Sequence, residues 1–300
     1  MKTFITLRFR VLALMLAGTI GVLLLCGAGI RWWGSNADAA AEVDGTIELP
    51  VVMYHHMLES SSLLGDYCIR PKDFEADLQL IRDWGYTSIS VAELIAWANG
   101  EGSLPDRPIL ITFDDGYEST YGYAYPLLQQ YGMKAVVSII GRYTDLYSES
   151  DDHHLNYSHI TWDQAREMQA SGLVEIMNHS YDLHTNSYRK GCQILPGEDV
   201  EQYKMMLRQD VGALQDKILH ELGTQPSCFA YPFGYRCDEA VEVLHELGFR
   251  VTLSCESGVN KLKANPDAIF RLMRNNRPYG IDSESFFAKI LKRPDEVEKT

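Results

Sequence analysis

Cysteine is scarce in this 300-residue chain: there are six, and no two form a C-x-x-C pair, which excludes a thiolate zinc site. One lies in an apolar N-terminal stretch. The other five, Cys68, Cys192, Cys228, Cys237 and Cys255, read first as small buried hydrophobes, although a bridge such as Cys228 to Cys237 is allowed outside the cell. Basic charge is also short. The first 37 residues hold Lys2, Arg8, Arg10 and Arg31 and no acid, leaving 23 basic and 41 acidic side chains beyond them, a net of −18. A field of that sign repels phosphate backbones and excludes nucleic acid as a partner. Repeats and low-complexity tracts are absent, and 46% apolar content excludes disorder and collagen-like structure.

What is present begins with residues 11–30, twenty residues without a charge, about the length needed to cross a hydrocarbon core of roughly 30 Å as a helix. Lys2, Arg8 and Arg10 precede it and only Arg31 follows closely. This bias places residues 1–10 in the cytoplasm and the bulk of the chain outside a single-pass membrane anchor. The competing reading is secretion after cleavage at Ala37-Asp38-Ala39, against which the apolar stretch is longer than a usual signal peptide's. A lipid-anchored Cys26 is disfavoured by Leu25, where a small residue would be wanted. Residues 31–47 read as a linker, 48–291 as one domain and 292–300 as a charged tail.

Within the domain, short apolar runs suited to strands buried on both faces cover Val51–Tyr54, Ile109–Phe113, Ala135–Ile140, Val174–Met177, Ser227–Tyr231, Arg250–Ser254 and Ile269–Met273. Helical periods occupy Pro71–Trp84, Val91–Ala98, Glu118–Tyr131, Trp162–Ala170, Glu198–Leu222, Asp238–Leu247 and Ser283–Leu291, with Gly85, Gly132, Gly172, Gly223 and Gly248 as stops. Seven β/α alternations predict an α/β barrel or a doubly wound sheet, with ligands at the C-terminal ends of the strands.

Those ends carry the chemistry. The second strand runs into Asp114-Asp115-Gly116, two carboxylates that point apart, so one is free for a metal and the other for a substrate. Alone, the same triplet reads as a helix cap or a turn. The fourth strand runs into Asn178-His179-Ser180-Tyr181-Asp182-Leu183-His184. Two histidines five apart lie about 140° round a helix, so they are no helical zinc pair, but they can converge in a loop. One Asp and two His suit zinc or a similar divalent ion and leave a position open for water. Tyr54-His55-His56 ends the first strand, where a histidine can protonate a leaving group. His153, His154 and His159 fall in a polar loop and read as solvent-facing.

Together ITFDDGYEST, GLVEIMNHSYDLH and CFAYPFG resemble the three motifs of the NodB-homology polysaccharide deacetylases, family 4 of the carbohydrate esterases. The resemblance covers about residues 48–290. It implies a distorted (β/α)7 barrel and metal-dependent removal of N-acetyl groups from amino sugars of a glycan. Asp114 then corresponds to the catalytic base, and Asp115, His179 and His184 to ligands of a divalent metal, usually Zn2+. His55, in an early Y-H motif, corresponds to the general acid of the branch acting on poly-β-1,6-N-acetylglucosamine. Phe233 and Tyr231 correspond to the oxyanion and substrate contacts of the third motif. That motif's arginine is replaced by Ala230, and Arg271 is expected to orient the base instead. The expected partners are an N-acetylglucosamine polysaccharide and the membrane. Peptidoglycan is the alternative substrate, and a glycan-binding pseudoenzyme, suggested by Ala230, is the alternative from another class.

Overall fold

The computed structural model describes residues 45–60, 62–150 and 152–297. The expected N-terminus (1–10), membrane span (11–30), most of the linker and the end of the tail lie outside the described residues. Among the described residues no helix is long and apolar enough to cross a membrane. Thr46–Thr300 cluster as one unit.

The unit opens with β1 (Ile47–Tyr54), whose last six residues are buried. Two-residue strands β2 (His56–Met57) and β3 (Cys68–Ile69) pair with each other before helix α1 (Pro71–Asp83). Then come β4 (Thr87–Ser88), α2 (Val91–Ala98) and β5 (Pro108–Phe113). The expected helix Glu118–Tyr131 starts instead as a π turn, Thr120–Ala124, and continues as α3 (Tyr125–Tyr131). After β6 (Ala135–Ile139) comes α4 (Gly141–Ser150), a helix that the helical periods of the sequence do not include. Next are α5 (Trp162–Ala170), β7 (Val174–Asn178), α6 (Val200–Leu222), β8 (Cys228–Ala230), α7 (Asp238–Glu246) and β9 (Val251–Leu253). The chain ends with β10 (Val259–Leu262), β11 (Asn275–Asn276), α8 (Ser283–Phe287) and α9 (Pro294–Val297).

The sheet runs β10-β1-β5-β6-β7-β8-β9, parallel throughout except at β10. Every residue of β5 and β6 is buried, as expected of strands covered on both faces. Alternate residues feed different cores. Val52, Ile111 and Val137 join one cluster with α1, α3 and α5, whereas Val51, Leu110 and Val136 join another with α2, the period of two that a pleated strand imposes. The expected strand Ile269–Met273 is not formed. Pro266–Ile269 make a 3-10 turn, Leu272 bridges Leu253, and β11 pairs with Val52 and Met53, so the curled sheet's two sides are joined by a short segment.

One buried ion pair braces that junction. Arg277 donates to both oxygens of Asp77 (2.9 and 3.1 Å), and Tyr54 Oη donates to Asp77 Oδ2 (3.0 Å). Breaking such a pair on one side leaves an uncompensated charge in low dielectric. Arg277→Met is therefore expected to cost about 3–5 kcal/mol, read as a lowered urea midpoint at unchanged slope. An unmoved midpoint would show that Asp77 finds other solvation.

Candidate metal and acid–base centre

Parallel strands end on one rim, and this brings distant sequence together. His55 follows β1, Asp114 and Asp115 follow β5, His179 follows β7, and Phe233 lies just beyond β8. They share a cavity of about 780 Å3 with His56, Tyr67, Tyr117, His184, Lys190 and Cys255. Asp115 (φ 70°), Ser180 (φ 73°) and Phe233 (φ 56°) are the non-glycine residues with positive φ among the described residues, and all three border the centre. Gly116 (φ 69°) continues the turn after Asp115, where an added Cβ would approach Ile139 Cγ2 to 3.0 Å.

Asp115, His179 and His184 each offer a ligand atom, and these atoms lie within 4.8 Å of one another. Nε2 of His184 and His179 stand 3.2 and 3.4 Å from Asp115 Oδ1. That oxygen is buried and makes no hydrogen bond, an arrangement that costs free energy unless a cation compensates it. His179 Nδ1 donates to the carbonyl oxygen of Ala230 (2.8 Å), so in the neutral ring Nε2 holds the lone pair, as in metal-binding imidazoles. Burial, then the neighbouring His179, lowers His184 to about 4, which keeps it unprotonated at neutral pH. Burial alone would raise Asp115, but in the ion's absence a proton on His179, whose own pKa the two carboxylates raise against burial, holds it well below the usual carboxylate range, a positive charge that a bound cation would supply instead. The donor set fits a divalent ion.

Asp114 points elsewhere. Its two oxygens accept from Arg274 Nη1 and Nη2, both at 2.7 Å, and Arg274 is fully buried, its Nε donating to Ser254 O (2.8 Å). Burial pushes Asp114 up, but the guanidinium and His179 outweigh it and the net displacement is downward. His55 Nδ1 is buried without a partner, and burial lowers the ring's pKa. Both nitrogens of His56, by contrast, are engaged, with Ser119 Oγ (2.7 Å) and Asn156 O (3.1 Å). Of the two adjacent histidines, His55 is the one left available.

The family description for polysaccharide deacetylase matches residues 101–252. The chain belongs to the polysaccharide deacetylase family. It is 24% identical over 246 residues to a poly-β-1,6-N-acetyl-D-glucosamine N-deacetylase of Escherichia coli K12, covering 76% of this chain but only 36% of that protein. It is 24% identical to the Staphylococcus aureus protein of the same name, over 80% of this chain and 76% of the relative. Among solved structures, IcaB from Ammonifex degensii superposes with a TM-score of 0.65 at 27% identity, over 77% of this chain and 92% of that one. A de-N-acetylase from Aggregatibacter actinomycetemcomitans gives 0.70 at 24%, over 81% and 98%, and supports the fold.

Against that background the polysaccharide deacetylase chain departs from three expectations. Arg271 does not reach Asp114; it is exposed and paired with Glu256. Arg274 orients the carboxylate instead. No local signal in the sequence marks Arg274, since the expected strand is not formed and only the tertiary structure buries its side chain. Tyr231 is buried against Phe229 (ring centroids 5.3 Å) and does not line the cavity, whereas Phe233 does, its ring stacked on His184 at 4.2 Å. His153 and His154 are exposed as expected, but His159 is buried, stacked on Tyr117, Tyr143 and Tyr147. Two of these rings come from α4, the helix that removes His159 from solvent. The described cysteines, from Cys68 to Cys255, are all free thiols, and most are buried.

Proposed function

We propose that the protein is a metal-dependent hydrolase removing N-acetyl groups from N-acetylglucosamine units of an exported poly-N-acetylglucosamine, zinc being held by Asp115, His179 and His184. We also propose that residues 11–30 anchor it in the cell membrane with its domain outside. One observation carries the chemistry: an Arg274-clamped carboxylate, Asp114, borders the same cavity as an orphaned aspartate oxygen facing two imidazoles. The relatives named for poly-β-1,6-N-acetyl-D-glucosamine support the substrate. The pseudoenzyme reading loses its motive, since Arg274 supplies the charge missing at Ala230.

When bound, a divalent ion supplies Lewis-acid chemistry, bringing the pKa of a water toward about 7. Asp114 accepts the proton of the water as its oxygen attacks the acetyl carbonyl, and Arg274 keeps both carboxylate oxygens aimed. The backbone N–H of Phe233 is assigned to the oxyanion, a contact commonly worth roughly 3–4 kcal/mol. His55 then gives a proton to the departing nitrogen. Burial holds this imidazole neutral at rest; the proton it gives is taken up from solvent as negative charge gathers in the cavity, and Asp114 returns the water's proton to solvent after turnover. The amide bond breaks, and acetate and a glucosamine unit result.

The test is acetate release from poly-β-1,6-N-acetylglucosamine and from peptidoglycan, side by side, with added zinc or with chelator. Release from the first that ceases with chelator is expected. Activity confined to peptidoglycan would overturn the substrate, and none from either with zinc bound would overturn the hydrolase.

A further inference from the structure

We infer that Asp210, on α6, is a positioning residue for the metal centre, carrying the backbone of the loop that joins His179 to His184. The inference rests on the ligand set proposed above. Asp210 Oδ1 accepts from the N–H of Tyr181 (2.8 Å) and Oδ2 from that of Asp182 (2.9 Å), two consecutive amides midway between the ligands. The flanking amides are satisfied from within the segment: Ser180 N–H donates to Asn178 Oδ1 (2.8 Å) and Leu183 N–H to Ser180 Oγ (3.1 Å). Of the four acceptors used by residues 180 to 183, the two on Asp210 come from another element.

The need for such a strut follows from the local structure. His179 is held by the end of β7, its N–H donating to Ile139 O (3.0 Å). His184 lies beyond a stretch without helix or strand that begins with Ser180 at positive φ. Its position therefore depends on the path of the loop. Asn178 Nδ2 ties the start of that path to Val211 O (3.0 Å), one residue along α6 from Asp210. The Tyr181 ring occupies the space beside Gly141, where a Cβ would fall 2.6 Å from Tyr181 Cδ2, and its hydroxyl donates to Asp145 (2.9 Å). Outer contacts that orient ligands typically contribute about 10–100-fold in metal affinity.

Asp210→Asn keeps the shape of the side chain but replaces one acceptor with an amide NH2 facing a backbone N–H. Zinc affinity, measured by competition with a chromophoric chelator, is expected to fall about 10–100-fold, and the visible bands of the cobalt-substituted protein to shift. Asp210→Glu retains both acceptors and is expected to fall between wild type and Asp210→Asn. Asp216→Asn removes the same charge from an exposed position of α6 and is expected to leave zinc affinity unchanged. Affinity within about twofold of wild type in Asp210→Asn, or equal impairment of the Asn and Glu variants, would overturn the inference. Should Asp210→Asn not fold, amide exchange on the wild type decides: Tyr181 and Asp182 protected as strongly as β7 support the strut, and fast local exchange sinks it. A wild type that binds no zinc defeats the ligand reading, whereas one that binds zinc with Asp210→Asn unaffected defeats this inference alone.

Discussion

Replacing Arg274 by methionine is expected to reduce acetate release by roughly 10^2–10^4-fold, the range over which a positioned acid or base contributes, and to destabilise the fold by about 3–5 kcal/mol. The two effects share one cause. Asp114 is desolvated, and the guanidinium that neutralises it is itself buried, so each charge is tolerated only because of the other. Arg274→Lys keeps the charge but loses the paired donors that fix both oxygens. It is expected to recover more stability than activity. The sign of the pH dependence should change as well. In the wild type Asp114 lies below its ordinary 3.8, so its contribution is present above about pH 4 and is lost as pH falls through the lower folded value. In Arg274→Met burial acts without its main opponent and the folded pKa rises. The variant should then lose stability as pH rises through the carboxylate range. Urea midpoints at pH 4 and 7 measure this, and a variant as stable and active as the wild type would remove Arg274 from the site.

The second large effect is expected at Asp115. Asp115→Asn leaves the side-chain volume and the strained turn in place but removes the anion that faces two imidazoles. Zinc affinity should fall by more than about 100-fold, the upper end of what outer contacts alone contribute, and hydrolysis should become undetectable. The expectation has a readout independent of turnover. A ligand at about 1,000 times its dissociation constant stabilises the folded state by about 4.1 kcal/mol. For a unit of this size that raises the melting temperature by roughly 8–16 °C. Wild-type protein should show that rise on adding zinc, and Asp115→Asn at most about a third of it. Equal shifts in both would mean that the ion binds elsewhere.

The site was legible in the sequence wherever its parts are local. Asp114-Asp115 and His179 to His184 each follow directly from an apolar strand run, and a strand buried on both faces announces its end by the first polar residues beyond it. His55 was legible for the same reason. Arg274 was less so, because the strand that would have set its register is only two residues long and the last apolar run is largely a 3-10 turn. Helix α4 was hidden by its polarity: of its ten residues only Gly141 and Thr144 are buried, which leaves no apolar stripe. The burial of His159 was hidden with it.

Sequence alone therefore determined the alternation of buried strands and helices, the rim on which the chemistry sits and the residue types placed there, because these depend on neighbours within one turn or one strand. The tertiary structure decided which cation holds Asp114, 160 residues away in the chain. It also decided which of two adjacent histidines stays free, and which helix carries the ligand loop. Those choices are made by long-range contacts whose free energy appears only once the sheet has curled and removed the groups from water, and no local pattern of residues encodes them.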